Sequence, residues 1–283
     1  VKGEVMKCRI RFIIALFVVL AFVSGCCNGR ISWLPTSGEI FNNQHYVIVQ
    51  KFEGRINSEW AYLLEPAFKD SRCDVVLVWI ESGGGYVADA ELLAHNLSML
   101  KEKYNKSLWV FSQQFLASGA YWAALSADTI AISCVGKTGS IGAVLIRPDF
   151  SKADSIRGEA WWIFQSGELK TLGNAHTPIS DLEKLKYMTT IKEIHGIFMS
   201  RIFEHRFDKI QKALGCSEHD SLAVQELIFK VSDGGLMSAW KAYEYGLIDV
   251  VCYFDELLEW FRNQGLIVKT MDGKVIENFY LEE

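Results

Sequence analysis

With 283 residues, 50% of them apolar and 22% charged, the chain has an ordinary globular composition and is long enough to bury a real core. Its formal charge of −5, from 34 acidic against 29 basic residues with no long block of either sign, gives phosphate backbones little to hold and sets nucleic acid aside as a partner. The seven cysteines include no Cys-x-x-Cys and no Cys/His pairing at zinc-site spacing, so no metal site is expected, and Cys73 and Cys134 read as small buried hydrophobes.

In chain order, Met6-Lys7-Cys8-Arg9-Ile10-Arg11 is a short cationic segment ahead of twelve uninterrupted apolar residues, Phe12 to Val23. That length suits a signal-peptide core better than a full membrane span. It closes on Val23-Ser24-Gly25-Cys26, which resembles the bacterial lipobox and implies lipid attachment at Cys26. The expectation is a signal peptide with lipobox over 1–26, or an uncleaved N-terminal membrane anchor, then a Gly/Pro/Ser/Asn-containing linker over 27–44 and a single domain over 45–283.

Tyr46-Val47-Ile48-Val49 and Val75 to Ile80 are continuous apolar runs rich in β-branched residues, as in strands covered on both faces. Glu59 to Lys69 between them is helical in pattern, and Ala90, Leu93, Ala94, Leu97 and Leu100 recur at helical spacing after the second strand. Leu108 to Phe111 and Thr129 to Ile132 are two further strands, separated by a small-residue helix that Ser118 opens and Ala127 ends. The alternation argues for an α/β domain with a largely parallel sheet flanked by helices and a ligand site beyond the carboxyl ends of its strands. Ser180 with Glu183 forms a capping box for a long helix toward Leu214, with Leu182, Leu185, Ile191, Ile194 and Ile202 along one side. Asp272-Gly273 predicts a hairpin between 266–271 and 274–280.

Three features bear on chemistry. Ser118, in Ala117-Ser118-Gly119-Ala120, stands at a helix start, where it serves either as a helix cap or as a nucleophile whose attack needs a nearby base. Gly83-Gly84-Gly85 ends the second strand, and is either a tight turn or a loop whose N–H groups, from Gly84 or Gly85 together with Gly119, form an oxyanion hole. Lys170, 52 residues after Ser118, is an ordinary solvated lysine or a base, and only desolvation or polar acceptors would free it of its proton. None of His45, His95, His176, His195, His205 and His219 sits in a context that fixes it beside Ser118.

These stretches carry a resemblance. Ile80 to Gly85, Ala117 to Ala124, Ala127-Asp128-Thr129-Ile130, Thr138-Gly139-Ser140-Ile141-Gly142, Ser166 to Lys170 and Ala242 to Asp249 are similar, in order and spacing, to the signal peptide peptidase A (protease IV) family of bacterial serine peptidases in its single-unit form. The similarity runs from about Tyr46 to Tyr253. It implies a ClpP/crotonase-like fold and a Ser/Lys dyad, with Ser118 as nucleophile, Lys170 as general base, Ser140 hydrogen-bonding the lysine, and Gly85 with Gly119 at the oxyanion. It further implies cleavage of peptides such as signal-peptide remnants at the membrane, no cofactor, and a homo-oligomeric ring that shares its sites between subunits. The chain departs from the family in having Glu81-Ser82-Gly83-Gly84-Gly85 for Asn-Ser-Pro-Gly-Gly, and Ala120 for a second glycine, with Glu81 bringing a carboxylate toward the site. Two other readings share these residues: a catalytically silent peptide-binding scaffold, and a crotonase-type acyl-CoA enzyme that would not need Lys170.

Overall fold

A strand as uniformly apolar as Val75–Ile80 is stable only with cover on both faces, and the computed structural model, which describes residues 45–216 and 220–277, supplies it. Strands β1 (Tyr46–Glu53), β2 (Cys73–Glu81), β3 (Ser107–Ser112), β5 (Thr129–Ile132), β8 (Val250–Val251) and β9 (Ile267–Thr270) form one sheet in the order β8-β5-β3-β2-β1-β9, with every neighbouring pair parallel. Alternate residues then face two separate cores. Ile48, Val76, Val78, Ile80 and Val110 point to the side of α1 (Trp60–Lys69), α2 (Val87–Tyr104) and α3 (Gly119–Ala124), whereas Val49, Leu77, Trp79, Trp109 and Phe111 meet Phe254, Leu257, Leu258 and Phe261 of α8 (Phe254–Asn263). Cys73 is buried with the first group, and burial pushes its thiol up to about 11; Cys134 is only half-buried.

A smaller sheet stands at the carboxyl ends of the main strands: β4 (Phe115–Ala117), β6 (Lys137–Gly139) and β7 (Leu236–Ser238), in the order β4-β6-β7, with the first pair parallel and the second antiparallel. These strands are three residues long, too short for a periodic signal. The helices α4 (Ser151–Arg157), α5 (Asp181–Leu214), α6 (Ser221–Val231) and α7 (Ala239–Glu244) complete the described chain. Among the described residues no helix is long and apolar enough to cross a membrane. The expected signal segment, Cys26 and the linker lie outside those residues.

Three expectations are corrected. The helix after Ser118 ends at Ala124, because Leu125, Ser126 and Ala127 turn the chain back toward β5. The hairpin at Asp272-Gly273 is present but short, an antiparallel Lys269–Val275 bridge with Thr270 N donating to the Lys274 carbonyl (2.9 Å) and Ile276 N to the Val268 carbonyl (2.9 Å), on the edge of β9 opposite β1; residues 278–283 lie outside the described residues. The capping box at Ser180 and Glu183 is present, but the apolar side of α5 is buried only from Phe198 onward, leaving Leu182 and Leu185 exposed. The apolar side of α5 therefore meets the core only from about Ile194 on.

The second half of this helix is tied down by charge. Arg206, fully buried, donates to the Gly246 carbonyl through Nε (2.9 Å) and Nη2 (2.8 Å), and forks onto Asp249 at 2.8 and 3.1 Å. Asp249 also accepts from the Ile130 N–H (2.8 Å) and pairs with Lys209 (2.6 Å), so α5, β5 and the turn before β8 meet on one carboxylate. Burial pushes the Asp249 carboxyl up, but the Arg206 and Lys209 charges outweigh it and hold it below the ordinary 3.8. A carboxyl depressed by folding stabilises fully above its unfolded value, and that stabilisation is lost as pH falls through the folded value. Asp249→Ala should cost about 3–5 kcal/mol by stranding Arg206 in the interior, read as a lower urea midpoint at neutral pH. The loss should begin to shrink as pH falls below about 4, where the carboxyl of the unfolded chain takes up a proton, and shrink further as pH falls through the lower folded value.

Candidate active site

Strand β4 ends at Ala117, and the chain must reverse direction at once to start α3. Ser118 makes that turn at φ 53°, ψ −125°, a conformation that non-glycine residues rarely adopt. It is held there by its N–H, which donates to the Gly139 carbonyl (2.8 Å), and by its own carbonyl, which accepts from Trp122 N (3.0 Å). Although Ser118 occupies the cap position of α3, its hydroxyl makes no capping hydrogen bond. The hydroxyl is thus spared for another partner, and the backbone strain is of the kind that collects at functional sites.

The triglycine lies against this turn. Ser82 Oγ accepts from Gly84 N (3.1 Å) and the Gly84 carbonyl accepts from Ile56 N (3.1 Å), which fixes the loop. Gly84 sits at φ 114°, and a side chain on it would fall 2.8 Å from Ser118 Cβ and 3.0 Å from Gly119 N. Because its N–H is engaged by Ser82, Gly84 bears on the site by close approach rather than as a donor. A side chain on Gly119 would come within 3.2 Å of Gly85 N, so the Gly85 and Gly119 main chains stand side by side.

Ser118, Gly85, Gly119 and Ser140 line one cavity of about 370 Å³ with Val87, Ala90, Trp122, Val144, Ile194 and Phe198. Ser140 too has a positive φ, 50°, and its N–H donates to the Gly235 carbonyl (2.7 Å). The wall is apolar apart from the two hydroxyls and the peptide groups of the glycines. The structure brings together every expected site residue in the described chain except Lys170, which is exposed in the irregular stretch between α4 and α5 and does not line the cavity. Cys26 lies outside the described residues.

Glu81 plays a part that the sequence did not suggest. Its carboxylate accepts from Trp79 Nε1 (2.6 Å), Gln114 N (2.9 Å), Phe115 N (3.1 Å) and Gln113 N, so it organises the turn from β3 into β4. The carboxylate that the sequence brings toward the site thus anchors the strand that delivers Ser118. Gln113 to Phe115 carry no motif, and only the fold shows that their N–H groups converge. Among the described residues no group of three or more His, Cys, Asp or Glu is arranged to hold a metal ion.

Residues 101–266 match the profile described as Peptidase family S49. The chain is 30% identical over 152 residues to a protein named Na(+)/H(+) antiporter NhaA from Brucella melitensis biotype 1, covering 53% of this chain and 20% of that one. It is 23% identical over 266 residues to Protease 4 of Haemophilus influenzae, covering 89% of this chain and 40% of that one. It thus spans well under half the length of either relative. Among solved structures, a ClpP1 mutant from Listeria monocytogenes aligns with TM-score 0.43 at 16% identity, covering 79% of this chain and 99% of that one.

The two neighbouring glycines provide a local test of the strained turn. Gly84→Ala should cost about 1–3 kcal/mol, because it meets both an unfavourable φ and the Ser118 side chain. An added methyl on Gly83 meets nothing within 4 Å, so Gly83→Ala should stay within about 0.5 kcal/mol of wild type. Chemical denaturation of the two variants side by side checks the difference.

Proposed function

The chain belongs to peptidase family S49, and on that premise we propose that it is a membrane-associated serine endopeptidase working through Ser118 and Lys170. The observation that carries the reading is Ser118 itself, held at φ 53° with an uncapped hydroxyl on the wall of a cavity that Gly85 and Gly119 also line. Ser118 Oγ attacks the scissile carbonyl carbon as its proton passes to a neutral Lys170 amine. The resulting oxyanion is held by the N–H groups of Gly85 and Gly119, worth about 2.7–4 kcal/mol per donor by analogy with other acyl-transfer sites. Collapse expels the amine fragment, which takes the proton from Lys170, and water then hydrolyses the acyl-serine ester with Lys170 as base again. In this reading Ser140, which lines the same cavity as Ser118, accepts a hydrogen bond from the lysine.

The cavity lining favours an apolar side chain on the acyl side of the cut bond, which suits peptides derived from membrane-directed segments such as signal-peptide remnants. Membrane association belongs to the same reading, through the apolar segment and Cys26.

In one chain Lys170 stands away from the cavity, so the proposal places it in the site of a neighbouring copy. Exposed apolar residues on the segments before and after it support this assignment: Ile156 is 79% exposed, Trp162 83%, Phe164 90% and Leu185 65%. A monomer does not ordinarily leave so much apolar surface in water. A head-to-tail contact that covers it would close into a ring. It would also bury the lysine, and burial favours the neutral amine that a base requires.

The position of Lys170 also favours a second reading, a catalytically silent peptide-binding relative, and a fluorophosphonate probe separates the two by labelling Ser118 only if it is activated. Ser118→Ala and Lys170→Ala should each abolish peptidase activity with the fold intact, since neither removes a large core side chain. Dissociated, mixed and reassembled, the two inactive proteins should regain activity wherever an intact Ser118 meets an intact Lys170. Mixed oligomers that form but stay inactive, while wild type recovers, would place the dyad within one chain.

A further inference from the structure

Lys170 lies in a stretch without regular structure, and most of its near neighbours bond only among themselves. Lys170 N donates to the Gly167 carbonyl (2.9 Å), Thr171 Oγ1 to Gln165 Oε1 (2.6 Å), Leu172 N to the Leu169 carbonyl (3.1 Å) and Asn174 N to the Thr171 carbonyl (2.9 Å). Such a loop has an internal shape but no fixed direction unless its base is clamped.

The clamp is built on Asp154, which is only 2% exposed although its helix, α4, is short and peripheral. Its carboxylate pairs with Arg157 and lies 2.7 Å from His176 Nδ1. The His176 ring stacks on Trp161, with centroids 4.1 Å apart and planes at 26°. Trp161 precedes Lys170 and His176 follows it, so this stack closes the loop at its neck. Beside it Phe150 N donates to the Ala175 carbonyl (2.7 Å), and Arg147, itself nearly buried, donates through Nη2 to the carbonyls of Asn174 and Thr177 (2.7 Å for the latter). The main chain past α4 is closed on the same residue, the Asp154 carbonyl accepting from Glu159 N (2.9 Å).

A buried carboxylate is tolerated only when its partners are in place, and here both partners and the aromatic stack converge on the neck of one loop. We infer that Asp154 and His176 are positioning residues whose hydrogen bond, locked by Trp161, sets the direction in which Lys170 is presented to Ser118. The inference rests on the reading of Lys170 as the base. It adds a His/Asp pair that acts through the lysine, not as a charge relay on the serine.

The test uses the full chain in its assembled state and reads kcat and KM on a peptide substrate, the rate of fluorophosphonate labelling of Ser118, oligomer size and the denaturation midpoint. His176→Phe keeps a ring to stack on Trp161 and removes only the group that bonds Asp154, so it carries the test even where Asp154→Asn fails to fold. It should lower kcat by about 10²-fold, the scale of an ångström-level misplacement, with KM and oligomer size unchanged. His176→Asn, whose amide can still donate to Asp154, should recover most of the loss. In a Lys170→Ala background, His176→Phe should not slow labelling further, because two changes acting through one group are not additive. Wild-type kcat in His176→Phe overturns the clamp, as does an undiminished effect of His176→Phe when Lys170 is absent. If Lys170→Ala alone keeps full turnover, the reading of Lys170 as base falls first; if it is inactive while His176→Phe is unaffected, only the clamp falls.

Discussion

The constraint on which this architecture turns is one backbone conformation, Ser118 at φ 53° between β4 and α3. A side-chain-bearing residue held there costs about 1–3 kcal/mol, and the surroundings offset that cost from several directions. Gly139 accepts its N–H, Gly84 leaves vacant the space that a side chain would fill, and Glu81 gathers the N–H groups of the turn that leads into β4. Each of these contacts exists because parallel strands bring their carboxyl ends to one edge of the sheet, where β4, the glycine loop and β6 can touch. The six-stranded sheet is in this sense the support for a three-residue strand.

The proposed site is divided between two kinds of structure. Ser118, Gly85 and Gly119 are set on the rigid core, where Ala90, Ala120, Trp122 and Phe198 pack without exposure. Lys170 is carried on an outlying loop beside apolar residues that the core does not cover. Within the proposed function, separating the two couples chemistry to assembly. A lone chain holds a serine without its base, and the hydrophobic drive to cover Trp162, Phe164 and Leu185 is what would bring a base to it. The Asp154–His176 clamp fits this division, since a base delivered from outside the core needs its own local scaffold.

Much of the fold was legible in the sequence because long apolar runs and capping chemistry are local signals. The strands at Tyr46, Val75, Leu108 and Thr129, the helix after the triglycine and the capping box at Ser180 all fall where residue pattern places them. The elements that build the site were not legible. Strands of three residues carry no periodicity, and β4, β6 and β7 exist only because they pair with one another. The apolar side of α5 was read correctly as a helical stripe but not as exposed at Leu182 and Leu185, because periodicity tells which residues share a face and not what the face meets.

The sequence by itself determined the α/β class through its local patterns, while the grouping of Ser118, Ser140 and the glycines came from the resemblance that their order and spacing carry. Tertiary structure alone decided how those residues are used: that the Ser118 hydroxyl is left uncapped, that the Gly84 N–H is taken by Ser82, that Glu81 anchors a turn, and that Lys170 is exposed and does not line the cavity. The physical reason is that each of these facts depends on a partner brought close by folding, whereas a sequence fixes only which groups each residue has to offer.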